Sequence, residues 1–277
     1  MRLLVVGASG HLGAEVSRRA LAAGWTVAGT HYRTPGRGSA TAGVDWHPLD
    51  VRDGAAVRKL LARVRPAAVV NAAYSYGDWA ACADGAGHVA TASAKVGARL
   101  VHISSDSVHG GRSEPYGDDE PPSPVFPYGA AKAAGETAVR VADPGAAVVR
   151  TSLIIGDDRS KQVRLCLDLI TSRVPGALFS DEIRCPVAVD DLAAAVLELV
   201  DSDVSGLLNI AGPEAVSRPE LGALVAGRYG LDPSRIRVST TAEAGLVRPG
   251  EVRLHCARAR ALLKTRLRGV SEVLTDR

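Results

Sequence analysis

Short, continuous apolar runs alternate along the first half of the chain with longer stretches whose apolar residues recur at helical spacing. Leu3-Leu4-Val5-Val6, Trp25 to Thr30, Asp45 to Val51, Ala67 to Ala73, Leu100 to Ile103 and Ala146 to Arg150 read as strands. Runs that are apolar on both faces belong to the interior of a parallel sheet. Between them, Leu12, Val16, Ala20 and Ala23 mark a helix from His11 that stops at Gly24. Asp53 caps a second helix through Val64, ended by Pro66. Asp78 to Val96 and Phe126 to Ala142 predict two more helices. Strand and helix in strict alternation predict an α/β fold, a doubly wound parallel sheet of the Rossmann kind.

After residue 151 the alternation weakens. Ser160 to Ser172 is a predicted helix, Asp190-Asp191 a predicted cap for a helix through Val200, Leu207 to Ala211 a short strand, and Ser217 to Tyr229 a further helix. The division expected is a dinucleotide-binding domain over 1–151 and 184–203, with a smaller C-terminal substrate-binding lobe over 152–183 and 204–277. At 277 residues there is ample material for both.

Composition narrows the field. With 33 basic against 30 acidic residues the balance offers no footprint for nucleic acid. There is no run long and apolar enough for a membrane span, and the N-terminal run is cut off by glycines, so it reads as a buried strand and not a signal peptide. Four cysteines without CxxC spacing or paired histidines point to reduced, structural thiols, no metal site and a cytoplasmic setting. A homodimer remains open.

The first candidate chemistry lies in Gly7-Ala-Ser9-Gly10-His11-Leu12-Gly13, directly after the first strand. Glycines at this spacing let the backbone turn tightly and approach a pyrophosphate at the positive end of a helix. Thr30, Tyr32 and Arg33 follow the second strand, with no acidic residue where NAD-specific enzymes hold the ribose 2′-hydroxyl. A carboxylate would repel a 2′-phosphate, whereas Arg33 or Arg37 can pair with one, so the pattern favours NADP, with NADPH preferred over NADH; a solvated basic loop is the plainer alternative. Asp50 and Val51 are expected at the adenine, and Asn71, Ala72 and Ala73 against the cofactor.

Tyr128 and Lys132 stand four residues apart on one predicted helical face. A free phenol titrates near 10, and bringing it to about 7 needs roughly 4 kcal/mol, which a fixed cation beside it can largely supply. Ser105 lies at a strand's carboxyl end, where α/β sheets bind ligands. The proline- and acid-rich stretch from Gly110 to Pro124 is either a substrate-covering loop or a surface excursion.

Gly7/Gly10/Gly13, Asn71-Ala-Ala73, Ser105, Tyr128 and Lys132 together resemble the signature of the extended short-chain dehydrogenase/reductases. Within that superfamily, Ile103-Ser-Ser-Asp-Ser-Val-His-Gly110, Tyr128-Gly-Ala-Ala-Lys-Ala-Ala-Gly-Glu136, Val149-Arg-Thr-Ser152, Asp181 to Pro186, Asp191-Leu-Ala193 and Arg248-Pro249 resemble the landmarks of the dTDP-4-dehydrorhamnose reductase group over nearly the whole chain. The resemblance implies reduction of a keto group on a nucleotide-linked sugar. Tyr128 would be the general acid, Lys132 would lower its pKa and hold the nicotinamide ribose, and Ser105 would hydrogen-bond the substrate oxygen. Substrate contacts are expected from Asp106, Ser107 and Tyr74, and Arg184, Arg218 and Arg248 can hold a substrate diphosphate, a surface arginine being the plainer alternative for each and Arg248 the one that matches a landmark of the group. Ser107 and His109 replace aromatic residues of the group, and Tyr74 to Cys82 departs from its usual Asp-x-Ala-Glu, which bears on the substrate. Two alternatives stand beside this one: a non-catalytic NADP-binding subunit like the beta subunit of methionine adenosyltransferase, and a reductase of a small ketone or imine.

Overall fold

The computed structural model describes residues 1–36 and 41–275. Seven strands form its central sheet: β1 (Arg2–Val6), β2 (Thr26–His31), β3 (Asp45–Pro48), β4 (Ala68–Asn71), β5 (Arg99–Ile103), β6 (Ala147–Thr151) and β7 (Gly206–Ile210). Their spatial order is β7-β6-β5-β4-β1-β2-β3, and all pair in parallel. The chain winds outward from β1 to β3, then restarts at β4 on the other side of β1. That reversal opens a crevice at the carboxyl ends of β1 and β4, where such sheets take their ligands.

The apolar runs build two cores because successive side chains point to opposite faces. Leu3 and Val5 join one cluster with Val16, Ala20, Leu192 and Val196, under helices α1 (His11–Ala22) and α6 (Val189–Val200). Leu4 and Val6 join the other with Val57, Leu61, Val89 and Val139, under α2 (Gly54–Val64), α3 (Gly85–Val96) and α4 (Pro127–Ala142). A third cluster, with Ile155, Val163, Cys166, Ile170, Leu221 and Val225, holds α5 (Lys161–Ile170) against α7 (Arg218–Arg228). Helix α8 (Ala257–Leu262) and α9 (Val270–Thr275) complete the chain. Among the described residues no helix is long and apolar enough to cross a membrane.

The structure corrects the expected division in the C-terminal half. Residues 206–210, expected in the smaller lobe, are the seventh strand of the main sheet, paired with β6. β6 is apolar on both faces and would otherwise leave its outer edge unpaired. Val252, Leu254, Cys256 and Ala259 likewise pack into the first core and not into the lobe. Asp190 and Asp191 do not cap α6, which begins at Val189 behind Ala188. They sit in its first turn, where Arg268 donates to both carboxylates at 2.6 and 2.8 Å. The four cysteines are buried free thiols.

The stretch from Gly110 to Pro124 is stitched down along its length. Arg112 N donates to Glu251 O at 2.8 Å and Tyr116 N to Arg253 O at 2.7 Å. Arg150, fully buried, forms a bidentate ion pair with Glu136 at 2.8 to 3.2 Å. Its remaining nitrogen donates to the carbonyls of Asp118 at 3.2 Å and Glu120 at 2.8 Å. One guanidinium thus joins β6, α4 and the loop.

Candidate active site

The glycine turn leaves β1 through Gly7, whose φ of +84° lies in the left-handed region. Its N–H donates to Thr30 Oγ1 at 2.9 Å. A Cβ on Gly7 would sit 2.8 Å from Ala73 N, and one on Gly13 only 2.2 Å from Gly7 O. Strand, turn and helix are therefore in contact through hydrogen atoms alone. Gly10 caps α1 with no side-chain bond, so the helix begins with its N–H groups facing the crevice. Ser9 and Gly10 are exposed at the tip. Leu12 turns its side chain into the first core, which leaves only its backbone for a ligand. The His11 ring has a buried Nε2 with no hydrogen-bond partner, and burial lowers its pKa.

Asn71, at the end of β4, is buried and oriented from below. Its amide donates to His102 Nδ1 at 3.1 Å, and its Oδ1 accepts Ala73 N at 3.3 Å. This fixes the Ala72–Ala73 backbone against Gly7.

Beyond β2, Tyr32 is exposed, with the guanidinium carbons of Arg33 and Arg52 at 5.9 and 5.3 Å from its ring centroid. Arg52 also donates to Tyr32 Oη at 2.7 Å, to Asp50 at 2.7 and 2.9 Å, and to Asp78 at 3.2 Å. Asp50 was expected at the adenine. Its carboxylate is instead engaged by Arg52, whose hydrogen bonds lower its pKa. Val51 offers its carbonyl to His88 Nδ1 at 3.0 Å. Arg52 was missed by sequence reasoning, although it follows the Asp50-Val51 pair directly. Arg37 lies outside the described residues.

Helix α4 is pressed against its surroundings at two glycines. A Cβ on Gly129 would come within 2.1 Å of Ser107 O, and one on Gly135 within 2.6 Å of Cys82 O. That approach brings Tyr128 beside Ser105, whose hydroxyl acts on the phenol in the direction that lowers its pKa. The phenol's pKa is raised, burial being the largest cause. The expected lowering by Lys132 is therefore corrected. Lys132 is buried and donates to the Ile103 carbonyl at 2.7 Å, and burial lowers its own pKa.

Asp106 is buried and accepts from Ser152 Oγ at 2.7 Å, Ser105 Oγ at 3.3 Å and Ser107 Oγ at 3.4 Å. Tyr74 is exposed, its ring edge-on to Tyr128 at 6.4 Å. His109 is a packed core residue, stacked on Tyr116 at 4.0 Å, with burial lowering its pKa to about 4.

Arg184, expected as a substrate ligand, is braced by the protein itself. It is buried and donates to the carbonyls of Ile183 at 2.8 Å, Pro249 at 2.6 Å and Gly250, while its Nε lies 3.7 Å from Asp106. Arg248 differs: its side chain is 39% exposed and 3.6 Å from Glu182, which leaves it accessible to an anion.

Known proteins resemble this chain over nearly its whole length. A family model described as the RmlD substrate binding domain matches residues 1–276. The dTDP-4-dehydrorhamnose reductase of Mycolicibacterium smegmatis is 33% identical over 250 residues, covering 85% of this chain and 72% of the relative. The methionine adenosyltransferase 2 subunit beta of Xenopus tropicalis is 28% identical over 281 residues, covering 93% of this chain and 81% of the relative. The crystal structure of dTDP-4-dehydrorhamnose reductase from Bacillus anthracis in complex with NADP superimposes with a TM-score of 0.83 at 24% identity, over 99% of this chain and 96% of that one. At that identity the likeness speaks for the fold.

Proposed function

The chain belongs to the family of the RmlD substrate binding domain, and from that premise we propose that it is an NADPH-dependent oxidoreductase that reduces a keto group on a nucleotide-linked sugar. The observation that carries the reading is the placement of the Tyr128 phenol beside Ser105 at the carboxyl end of the sheet, where α4 closes on the Ser107 carbonyl. It pairs two hydroxyls beside the crevice that the glycine turn lines. The relatives named as dTDP-4-dehydrorhamnose reductases, and the NADP in one solved structure, support the reaction and the cofactor.

The residues present fit a dinucleotide. A turn that no Cβ can enter admits a pyrophosphate close to the backbone, and the open start of α1 favours its charge. Arg33 beside Tyr32 suits a 2′-phosphate. When bound, NADPH supplies the hydride that reaches the carbonyl carbon. Tyr128 gives its proton to the carbonyl oxygen; the phenol, whose pKa burial raises, is protonated at neutral pH. Ser105 hydrogen-bonds the same oxygen and holds it toward the phenol. Lys132 spends one N–H on Ile103 O and has two others for a ribose hydroxyl. Arg248 serves the substrate diphosphate.

A second reading, binding of NADP without turnover, is favoured by the relatives named as methionine adenosyltransferase 2 subunit beta. The two readings separate in one experiment: NADPH oxidation against a panel of 4-keto nucleotide sugars and simple ketones, with NADPH binding measured in parallel. The reductase reading expects turnover that Tyr128→Phe abolishes while NADPH affinity holds within about twofold. Tight NADPH binding with no turnover across the panel supports the regulatory reading, and an active Tyr128→Phe variant refutes the assigned proton donor.

A further inference from the structure

Aromatic residues make up only 4% of this chain, yet three of them fall within the six residues from Tyr74 to Trp79, beside Tyr128. All three are open to solvent, with Tyr74 47%, Tyr76 60% and Trp79 52% exposed. A concentration of this kind beside a reactive group is a feature that scattered surface aromatics do not share. The segment is also held in place. Gly77, with φ +80°, and the bond from Asp78 N to Ser75 O at 3.1 Å make a tight turn. Cys82 Sγ donates to Ser75 O at 3.3 Å, Asp78 Oδ1 accepts Ala81 N at 3.0 Å, and its Oδ2 takes Arg52 at 3.2 Å.

The Tyr76 ring lies 4.9 Å from that of Tyr128, tilted by 32°, and Phe126 stands 6.0 Å away on the same phenol. Lys161, from the start of α5, reaches across the cleft to within 4.8 Å of the Tyr74 ring centroid. Tyr74 is thereby partly covered from the lobe, whereas Tyr76 presents the more open face. The depression between Trp79, Pro127 and Tyr128 measures about 40 Å³, room for water but not for a sugar ring. A sugar ring does not fit that depression, whereas the Tyr76 ring beside Tyr128 offers an open aromatic face.

We propose that Tyr76, supported by Tyr74, is a stacking platform that sets specificity for a six-membered cyclic ketone, the apolar C–H face of the ring packing on the Tyr76 ring while the carbonyl oxygen meets Tyr128. The platform deepens the keto-sugar reading above and rests on it. It predicts that the ring, and not only the nucleotide, contributes affinity. An acyclic ketone gains nothing from Tyr76.

The test is equilibrium binding to the NADP-loaded protein of a nucleoside-diphosphate hexose and of the same nucleoside diphosphate alone. The ratio of the two affinities is the contribution of the sugar ring. In Tyr76→Ala that ratio falls by about 3- to 10-fold, the size of an ordinary aromatic contact. Affinity for the bare diphosphate and for NADPH stays unchanged, and Tyr76→Phe, which keeps the ring, restores the ratio. A ratio unchanged in Tyr76→Ala, or lost equally in Tyr76→Phe, overturns the platform while leaving the reductase reading intact. Failure of the wild-type protein to bind either nucleotide, together with no turnover of any keto sugar, overturns the reading and the platform with it.

Discussion

Replacing His109 with Phe removes a fully buried imidazole that stacks on Tyr116 at 4.0 Å and whose two nitrogens have no hydrogen-bond partner. The folded ring titrates at about 4, against 6.5 for the free group. Burial is the first cause, the charges of Arg150 and Arg112 act in the same direction, and Glu120 opposes them. Between those two values the unfolded chain binds a proton that the folded chain refuses, so stability rises with pH across that window. The stabilisation is complete above the unfolded value and is lost as pH falls toward the folded one. Going from about pH 7.5 to about pH 5, this ring alone costs the native state roughly 2 kcal/mol. Phe keeps the stack on Tyr116 and carries no proton. Urea unfolding of both proteins at the two pH values isolates the ring, because every other titrating group is common to them. The variant is expected to lose about 2 kcal/mol less than the wild type on acidification. Equal losses would refute the placement of a neutral histidine in this core.

Two further outcomes follow from contacts described above. Gly13→Ala places a methyl 2.2 Å from Gly7 O, so NADPH affinity measured by fluorescence titration should fall at least about tenfold; a change below about twofold would show that the turn yields without cost. Arg150→Met strands Glu136 in the core and should lower unfolding free energy by about 3–5 kcal/mol in urea, with Arg150→Met/Glu136→Leu recovering most of it. A single variant within about 1 kcal/mol of the wild type would refute the pair's structural weight.

The sheet was legible as far as β6 because its strands, the polar edge strand β3 apart, are short apolar runs bounded by turn residues, and the helices between them have their own stops. The seventh strand was legible as a strand but not in its place. Its partner lies 59 residues earlier in the register that joins Gly206 to Ala147, across an interval that holds α5 and α6. No local pattern encodes such a pairing. The glycine turn and the Asp53 cap were readable because their chemistry is local, as the bonds from Ala55 N and Ala56 N to Asp53 confirm. Direction was the harder matter. Spacing put Tyr128 and Lys132 on one face, yet the ammonium turns to Ile103 O, 29 residues back in sequence. Arg184 was likewise visible as a charge and invisible as a brace, because its acceptors are backbone carbonyls near residue 250. Side-chain identity carries no record of which carbonyls it will meet.

The stitching of the Gly110–Pro124 stretch to residues 251–255 bears on how the molecule comes into being. During synthesis the first six strands can pair while the chain is still emerging, since their order needs nothing beyond residue 151. The strap is different: Tyr116 waits for Arg253 and His255, and the acceptor of the Arg112 backbone N–H is the Glu251 carbonyl. A further hundred residues pass through the ribosome before that side of the site can close, at least about 5 s at ordinary elongation rates. For the first half of that interval, until Gly206–Ile210 arrives, the sheet stands with β6 as a bare edge, the kind of surface that neighbouring chains can pair with. Residues 251–255 therefore work as a clasp, and their arrival fixes the strap after the sheet itself has closed.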